Sequence, residues 1–265
     1  MNITIRFIEH LKISTVLNST SHKTRAQTIM IKALSLSFIL LLSLANTSHA
    51  ELLKSGFYVE YDVNYNGMEL GVSKRRLTVN NNQRATYEAT TLPEGFAALL
   101  IKETVTETST IKLTRTQIQP TQYVESKNKK GNIEEYQLSF DWKKNKLNNS
   151  YSKTIDDLKT NTHDLLSFQL NIMQDMQKNK KNMHYRIATK RHTRDYNLNI
   201  IEKEKIETAL GEFDVIKLSS NLTEGKSQFT FWCAPTLEYL PVKIQKTNEK
   251  GDLFSFTLRA FSIQK

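Results

Sequence analysis

Along most of the chain, apolar and polar residues alternate singly, the period a pleated strand with one buried face imposes. Phe57, Val59, Tyr61, Val63 and Tyr65 alternate with Tyr58, Glu60, Asp62 and Asn64, which predicts a half-buried strand. Asn66-Gly67 follows, a turn dipeptide that accepts positive φ. Met68, Leu70 and Val72 start the return strand, but the apolar phase then switches to Leu77 and Val79. A bulge is therefore expected near Ser73 to Arg75. Asn80-Asn81-Asn82 predicts the next turn, with Ala85, Tyr87 and Ala89 on the strand after it.

Pro93-Glu94-Gly95 breaks the alternation ahead of the apolar run Phe96 to Ile101. That run fits either a helical turn plugging one end of a sheet or the start of the Thr-rich strand Glu103 to Thr114. On that strand Val105, Ile111 and Leu113 take the apolar side. Further strands are expected through Tyr123 and Val124, then over Ile133 to Trp142, where Tyr136, Leu138, Phe140 and Trp142 share one face. Lys143 to Lys146 reads as a hairpin tip. Strands resume over Met183 to Lys190 and Asp195 to Lys205, and Leu210-Gly211-Glu212, Glu224-Gly225 and Lys250-Gly251 read as turns. Phe229 to Gln245 forms the organising hairpin: a strand stopped by Pro235, a turn, and a second strand opened by Pro241.

One stretch changes period. Over Thr162 to Lys178, Leu165, Phe168, Ile172 and Met176 recur at helical spacing, and Leu166, Leu170 and Met173 make a second apolar row. Thr162 or Asp164 can cap this helix. Its apolar arc is wider than a surface helix needs, so it should be buried on a sheet or cover a concave opening. The fold expected is mainly β: one large curved antiparallel sheet or open barrel of about 11–12 strands, with a single amphipathic helix packed on or in it.

The N-terminal region departs from all this. Ala33 to Ala45 is a continuous apolar stretch preceded by Lys32 and followed by Ser48-His49-Ala50. It is shorter than the roughly 20 residues a spanning helix needs. Charge, apolar core and small-residue site in that order predict a secretory signal peptide, residues 30–50, cleaved after Ala50. Translation would start at Met30, or a long n-region would run from Met1. The expected product is a single periplasmic β-rich domain, residues 51–265, with no membrane span after cleavage. Of the 265 residues 37 are Lys or Arg and 27 Asp or Glu, a formal charge of +10, and part of that excess lies in the leader. The remaining basic surplus suits an anionic membrane surface or plain solubility, and export makes nucleic acid an unfavourable partner. The one cysteine, Cys233, can form no internal disulfide and reads as a packed small hydrophobe.

Several motifs occur in a fixed order: Tyr61-Asp62-Val63, Leu70-Gly71, Phe140-Asp141-Trp142, His163-Asp164-Leu165-Leu166-Ser167 and Leu210-Gly211-Glu212-Phe213. Phe231-Trp232-Cys233-Ala234-Pro235 and Leu240-Pro241-Val242-Lys243-Ile244 complete the set. In these the chain resembles the domain-of-unknown-function family 3108 of exported proteobacterial proteins. The resemblance covers most of the chain after the leader and brings no assigned activity. It implies a curved sheet with a helical plug, like that of periplasmic lipoprotein carriers.

No nucleophile elbow, His-Glu-x-x-His, phosphate loop or dinucleotide turn is present, and His163, His184 and His192 fit no metal spacing. No catalytic residue, metal site or cofactor is therefore expected, and the protein reads as a non-enzyme. The first functional reading is a concave, aromatic-lined sheet that holds a lipid, acyl chain or other apolar small molecule of the envelope. Its candidate liners are Tyr61, Phe140, Trp142, Leu166, Leu170, Met173, Phe231 and Trp232, with Phe229 and Phe256 beside them. The alternative is an assembly factor that meets an envelope protein partner through a sheet edge. The same rings would also suit a closed core.

Overall fold

The computed structural model describes residues 52–80, 83–113, 117–220 and 227–264. The leader with Met30 and the Ala50 cleavage site, Asn81-Asn82 and Glu224-Gly225 lie outside the described residues.

The chain meanders through β1 (Phe57–Tyr65), β2 (Met68–Asn80), β3 (Arg84–Pro93), β4 (Glu103–Leu113), β5 (Ile118–Lys129), β6 (Asn132–Asp141), β7 (Lys146–Asn149) and β8 (Thr154–Asp157). It resumes through β9 (Thr162–His163), β10 (Met183–Ala188), β11 (Thr193–Thr208), β12 (Gly211–Ser220), β13 (Gln228–Ala234), β14 (Leu240–Thr247) and β15 (Leu253–Ile263). Helix α1 (Leu52–Ser55) precedes the run, and α2 (Ala97–Leu100) and α3 (Ser167–Gln177) interrupt it.

All fifteen strands of the described residues belong to one sheet, in the order β8-β7-β6-β5-β4-β3-β2-β1-β15-β14-β13-β12-β11-β10-β9. Pairing of β1 with β15 joins the two ends of the meander in antiparallel register. The short β9 is the exception to the antiparallel pattern, lying parallel to β10. The sheet curls until its far sides meet. Asn149 on β7 donates to the carbonyl oxygens of Thr189 and Lys190 at 3.3 and 3.1 Å, just past β10. The Lys190 Nζ also lies 5.7 Å from the Tyr136 ring centre on β6. The strands beyond the expected number are the short β7, β8 and β9, too brief to carry a period of their own.

Alternation decides which face turns inward. On β1 the predicted set Phe57, Val59, Tyr61 and Val63 is buried, and Asn66 and Gly67 take φ of 48° and 84° as the turn requires. On β2 the structure corrects the expectation. The register slips opposite Val63/Asn64, so the extra residue is Leu70, not Ser73 to Arg75. Ser73 and Arg75 keep the inward phase of Leu77 and are themselves buried. The polar break in the pattern is thus a polar patch inside the sheet.

Phe96 to Ile101 is a helical turn, α2, and β4 starts only at Glu103. The predicted interior helix is shorter than its periodicity suggested. Thr162 belongs to β9, and α3 begins at Ser167. Asp164 caps it from outside the helix: its Oδ1 accepts the N–H groups of Leu166 and Ser167, each at 2.8 Å, and its Oδ2 accepts from Ser109 on β4 at 2.7 Å. Nine of the eleven helical residues are buried, so α3 lies within the sheet's curve. Phe168 meets Phe229, Phe231 and Tyr185 edge-on at 5.0 to 5.8 Å between ring centres. At the far end Glu238 ties α1 and α3 together, accepting from Leu52 N–H at 2.8 Å and Gln177 Nε2 at 3.3 Å.

Candidate functional site

A cavity of about 260 Å³ lies between α3 and the inner faces of β2, β4, β5, β13, β14 and β15. Its apolar wall is Leu165, Leu166, Phe168, Phe229, Phe231, Ile244, Phe254 and Phe256, and its polar wall is Arg75, Glu107, Glu125, Gln169 and Lys246. Every charged residue here occupies the inward phase of its strand. Arg75 follows Ser73 on β2, Glu107 precedes Ser109 and Ile111 on β4, Glu125 follows Tyr123 on β5, and Lys246 follows Ile244 on β14.

Arg75 is buried and satisfied by several partners. Its Nε donates to Ser73 Oγ at 3.2 Å and its Nη1 to Gln169 Oε1 at 2.5 Å. The guanidinium sits 4.8 Å from the Tyr61 ring centre and 4.9 Å from that of Phe256. A delocalised cation between two ring faces tolerates burial better than an ammonium would.

Glu107 and Glu125 are directly cross-strand partners, an arrangement that like charges resist. Burial pushes the Glu107 carboxyl above the usual range, with Glu125 and Asp164 adding to the rise, while the bond from Tyr123 and the charge of Arg75 pull it back. Tyr123 donates to Glu107 at 2.6 Å, and Lys127 Nζ stands 3.6 Å from Glu125. Burial lowers the Lys246 ammonium, against the pull of Glu107 and Glu125. The result is an apolar slot with mixed charge along one side.

A second, smaller cavity of about 130 Å³ is bordered by Ile118, Trp142, Asn161, His163, Asn171 and Asp175, among others. His163 is 3 % exposed, and both ring nitrogens lack a hydrogen-bond partner. Burial holds its pKa down at about 3, so the ring is neutral. Asp175, beside it, accepts from Tyr185 at 2.9 Å and pairs with Lys180 at 2.7 Å.

The expected liners separate into groups. Leu166 and Phe231 line the larger cavity. Tyr61 adjoins it through Arg75 and is fully buried, its hydroxyl donating to the Pro241 carbonyl at 2.8 Å. Leu170 and Met173 are buried in the packing of α3 without lining this cavity. Phe140 and Trp142 stack at 6.5 Å elsewhere on the inner face, and Trp142 borders the smaller cavity. Trp232 points to the opposite face: its register partners are Lys217 and Lys243, whose ammonium groups lie 5.6 and 5.0 Å from the indole centre. Its Nε1 donates to Glu204 at 2.5 Å. Cys233 is fully buried, and burial raises its thiol pKa far above the ordinary value. The polar wall went unforeseen, although a charge in the apolar phase of four separate strands is a signal the sequence carries.

Fold and site together define a barrel-like, open β-sheet protein with an internal helix and an interior cavity. The chain belongs to the family described as Protein of unknown function (DUF3108), which it matches over residues 60–259. No curated protein sequence matches it. Among solved structures it is similar to a beta-barrel-like protein of domain of unknown function DUF1849 from Brucella abortus, at 9% identity and a TM-score of 0.54. That match covers 80% of this chain and 99% of the other. The MucA/MucB complex of Pseudomonas aeruginosa also matches, at 12% identity and a TM-score of 0.33, covering 80% of this chain and 53% of that one. Among the described residues no helix is long and apolar enough to cross a membrane.

Proposed function

We propose that this protein is a non-enzymatic, exported binding protein of the cell envelope that holds the apolar part of a lipid or acyl ligand inside its curved sheet. The observation that carries this reading is the cavity under α3, with five phenylalanine rings on one side and buried Arg75 on the other. Its volume of about 260 Å³ falls just below the roughly 300–1,000 Å³ of drug-sized ligand cavities, which suits one chain segment better than a whole lipid. Each methylene buried there would contribute about 0.8 kcal/mol. Arg75 and Lys246 would face an anionic head and Glu107 or Glu125 a hydroxyl or amine. The leader motif supports release into the periplasm after cleavage at Ala50. The alternative, a sheet-edge assembly factor, would use β8, whose four residues are all exposed. That strand is short and carries Asp156 and Asp157, features that discourage strand addition.

Native mass spectrometry of the protein purified from its own cell envelope tests the reading. The expected spectrum holds an acyl-sized adduct released on gentle activation. The unliganded mass alone, from every preparation, would contradict it.

A further inference from the structure

The β3–β4 connection puts an unusual amount of apolar surface in water. Phe96 is 75 % exposed, Leu99 69 % and Leu100 72 %, and Met68 on the neighbouring β1–β2 hairpin is 62 % exposed. Residues of this kind scattered singly are ordinary; gathered on one projecting turn they mark a contact surface. The turn is held firmly at its base. Glu94 N–H donates to the Leu70 carbonyl at 3.2 Å, and Ile101 N–H to that of Ala97 at 2.8 Å. Gly71 permits this seating, since a Cβ there would stand 2.1 Å from the Leu92 carbonyl oxygen and 2.6 Å from Pro93 Cα.

The adjoining β5–β6 turn is basic. Lys130 N–H donates to the Lys102 carbonyl at 3.2 Å, and Lys129 pairs with Glu103 across the strands, so Lys102, Lys129 and Lys130 share the rim with the apolar tip. The acids nearby include Glu69, exposed beside Met68; Glu103, half-buried; Glu94, bonded to Arg259 at 2.7 Å; and Asp252, which accepts from Asn66 on the β1–β2 hairpin at 3.3 Å. The cavity's own wall reaches this end as well. Tyr65 pairs with Phe254 on one side and with Met68 on the other.

We propose that the tip formed by Phe96, Leu99, Leu100 and Met68 inserts into the interface of an anionic lipid bilayer, with Lys102, Lys129 and Lys130 meeting the headgroups. An apolar projection rimmed by cations matches that surface in both chemistry and charge. The Lys102 ammonium folds back to the Ala98 carbonyl at 2.9 Å, at the base of the tip; a protein groove would satisfy the apolar residues but would not match the cations of Lys129 and Lys130. This docking surface is separate from the residues that wall the cavity, so the two readings fail independently.

The test uses the full chain with an environment-sensitive fluorophore on Leu100→Cys, Cys233 being buried and shielded from labelling. A second labelled protein, Ile155→Cys on the remote edge strand, is the control. Vesicles of equal parts phosphatidylcholine and phosphatidylglycerol should shift the emission at position 100 to the blue and leave that at position 155 unchanged. Lys129→Glu with Lys130→Glu should weaken the response by at least about tenfold. Uptake of a soluble fatty-acid probe, measured without vesicles, should not change in that double variant. No shift at position 100, or an equal shift at both positions, would overturn the proposal. So would a response unaffected by the charge reversal. Absent probe uptake with an intact shift would instead remove the carrier reading and leave the docking surface standing.

Discussion

Arg75 Nη1 donates to Gln169 Oε1 at 2.5 Å, which joins β2 to helix α3 across the interior of the sheet. The pair places a cation at the cavity, and its replacement separates electrostatic from apolar recognition. Arg75→Met should weaken binding of a fatty-acid probe by about tenfold, the worth of roughly 1.4 kcal/mol, an ordinary figure for a bond to a charged group. Binding of the methyl ester of the same probe should hold. Without the cation, Glu107 should titrate still higher than in the wild type, since Arg75 is one of the groups that pull it down. Fluorescence titration with the two probes checks the first point, and carbon-detected NMR of the Glu107 carboxyl checks the second.

Trp232 is 5 % exposed but packs on the face opposite the helix, under Lys217 and Lys243. Trp232→Ala should cost about 3–5 kcal/mol, the usual range for a large aromatic truncation. Probe affinity of the folded fraction should be unchanged. Trp232→Phe should retain most of the packing and lose the bond to Glu204, a matter of about 1 kcal/mol. Chemical denaturation reads both; a Trp232→Ala melting curve that overlays the wild type would contradict the burial described.

The buried His163 imparts a pH dependence whose sign is fixed. The unfolded chain takes a proton as pH falls below the ordinary value of 6.5, while the folded ring resists until about 3. Between those values the unfolded state binds more protons, so stability declines as pH falls and is fully present above 6.5. Asp164 and Glu107, raised by burial, act in the opposite sense, so the comparison must be between variants. His163→Phe should flatten the acid limb and should cost less than about 1 kcal/mol at neutral pH, because it removes two unpartnered polar atoms. Denaturation midpoints at pH values across this window decide the matter.

Gly71 has φ +155° and no room for a side chain against Leu92 and Pro93. Gly71→Ala should therefore destabilise by about 1–3 kcal/mol, and protease should cut first in the 94–102 connection. Unchanged stability and an unchanged cleavage pattern would show that the β2–β3 edge yields more readily than its geometry suggests.

Much of this fold is legible in the sequence because one buried face writes its own period. Phe57 to Val63, Tyr136 to Phe140 and Phe229 to Phe231 fall where alternation puts them. The helix is legible for the same reason, although its start is not: Thr162 is a good capping residue by type, yet its backbone pairs with β10. What alternation misleads about is the polar interior. A buried Ser73 and Arg75 look like a slipped register, because period alone cannot tell a bulge from a charge that has found partners across the barrel. Those partners, Gln169 and the rings of Tyr61 and Phe256, come from distant segments. Trp232 fails in the other direction: its size announces burial, but only the pairing with Lys217 and Lys243 reveals which side of the sheet buries it.

The central claim, an acyl-binding cavity under α3, is tested most directly by titrating a fluorescent fatty-acid probe into the wild type and into Phe254→Glu. Phe254 is a half-buried residue of the cavity wall, paired with Lys246 and set at a tilt against Tyr65, 4.8 Å between ring centres. Replacing it should leave the β-sheet circular dichroism intact and place a carboxylate where the chain should lie. Saturable uptake by the wild type and at least about tenfold weaker uptake by the variant are expected, since a carboxylate on the apolar wall would repel an anionic acyl ligand and would engage Lys246, its cross-strand neighbour. No saturable uptake by the wild type, or equal uptake by the two proteins, would contradict it.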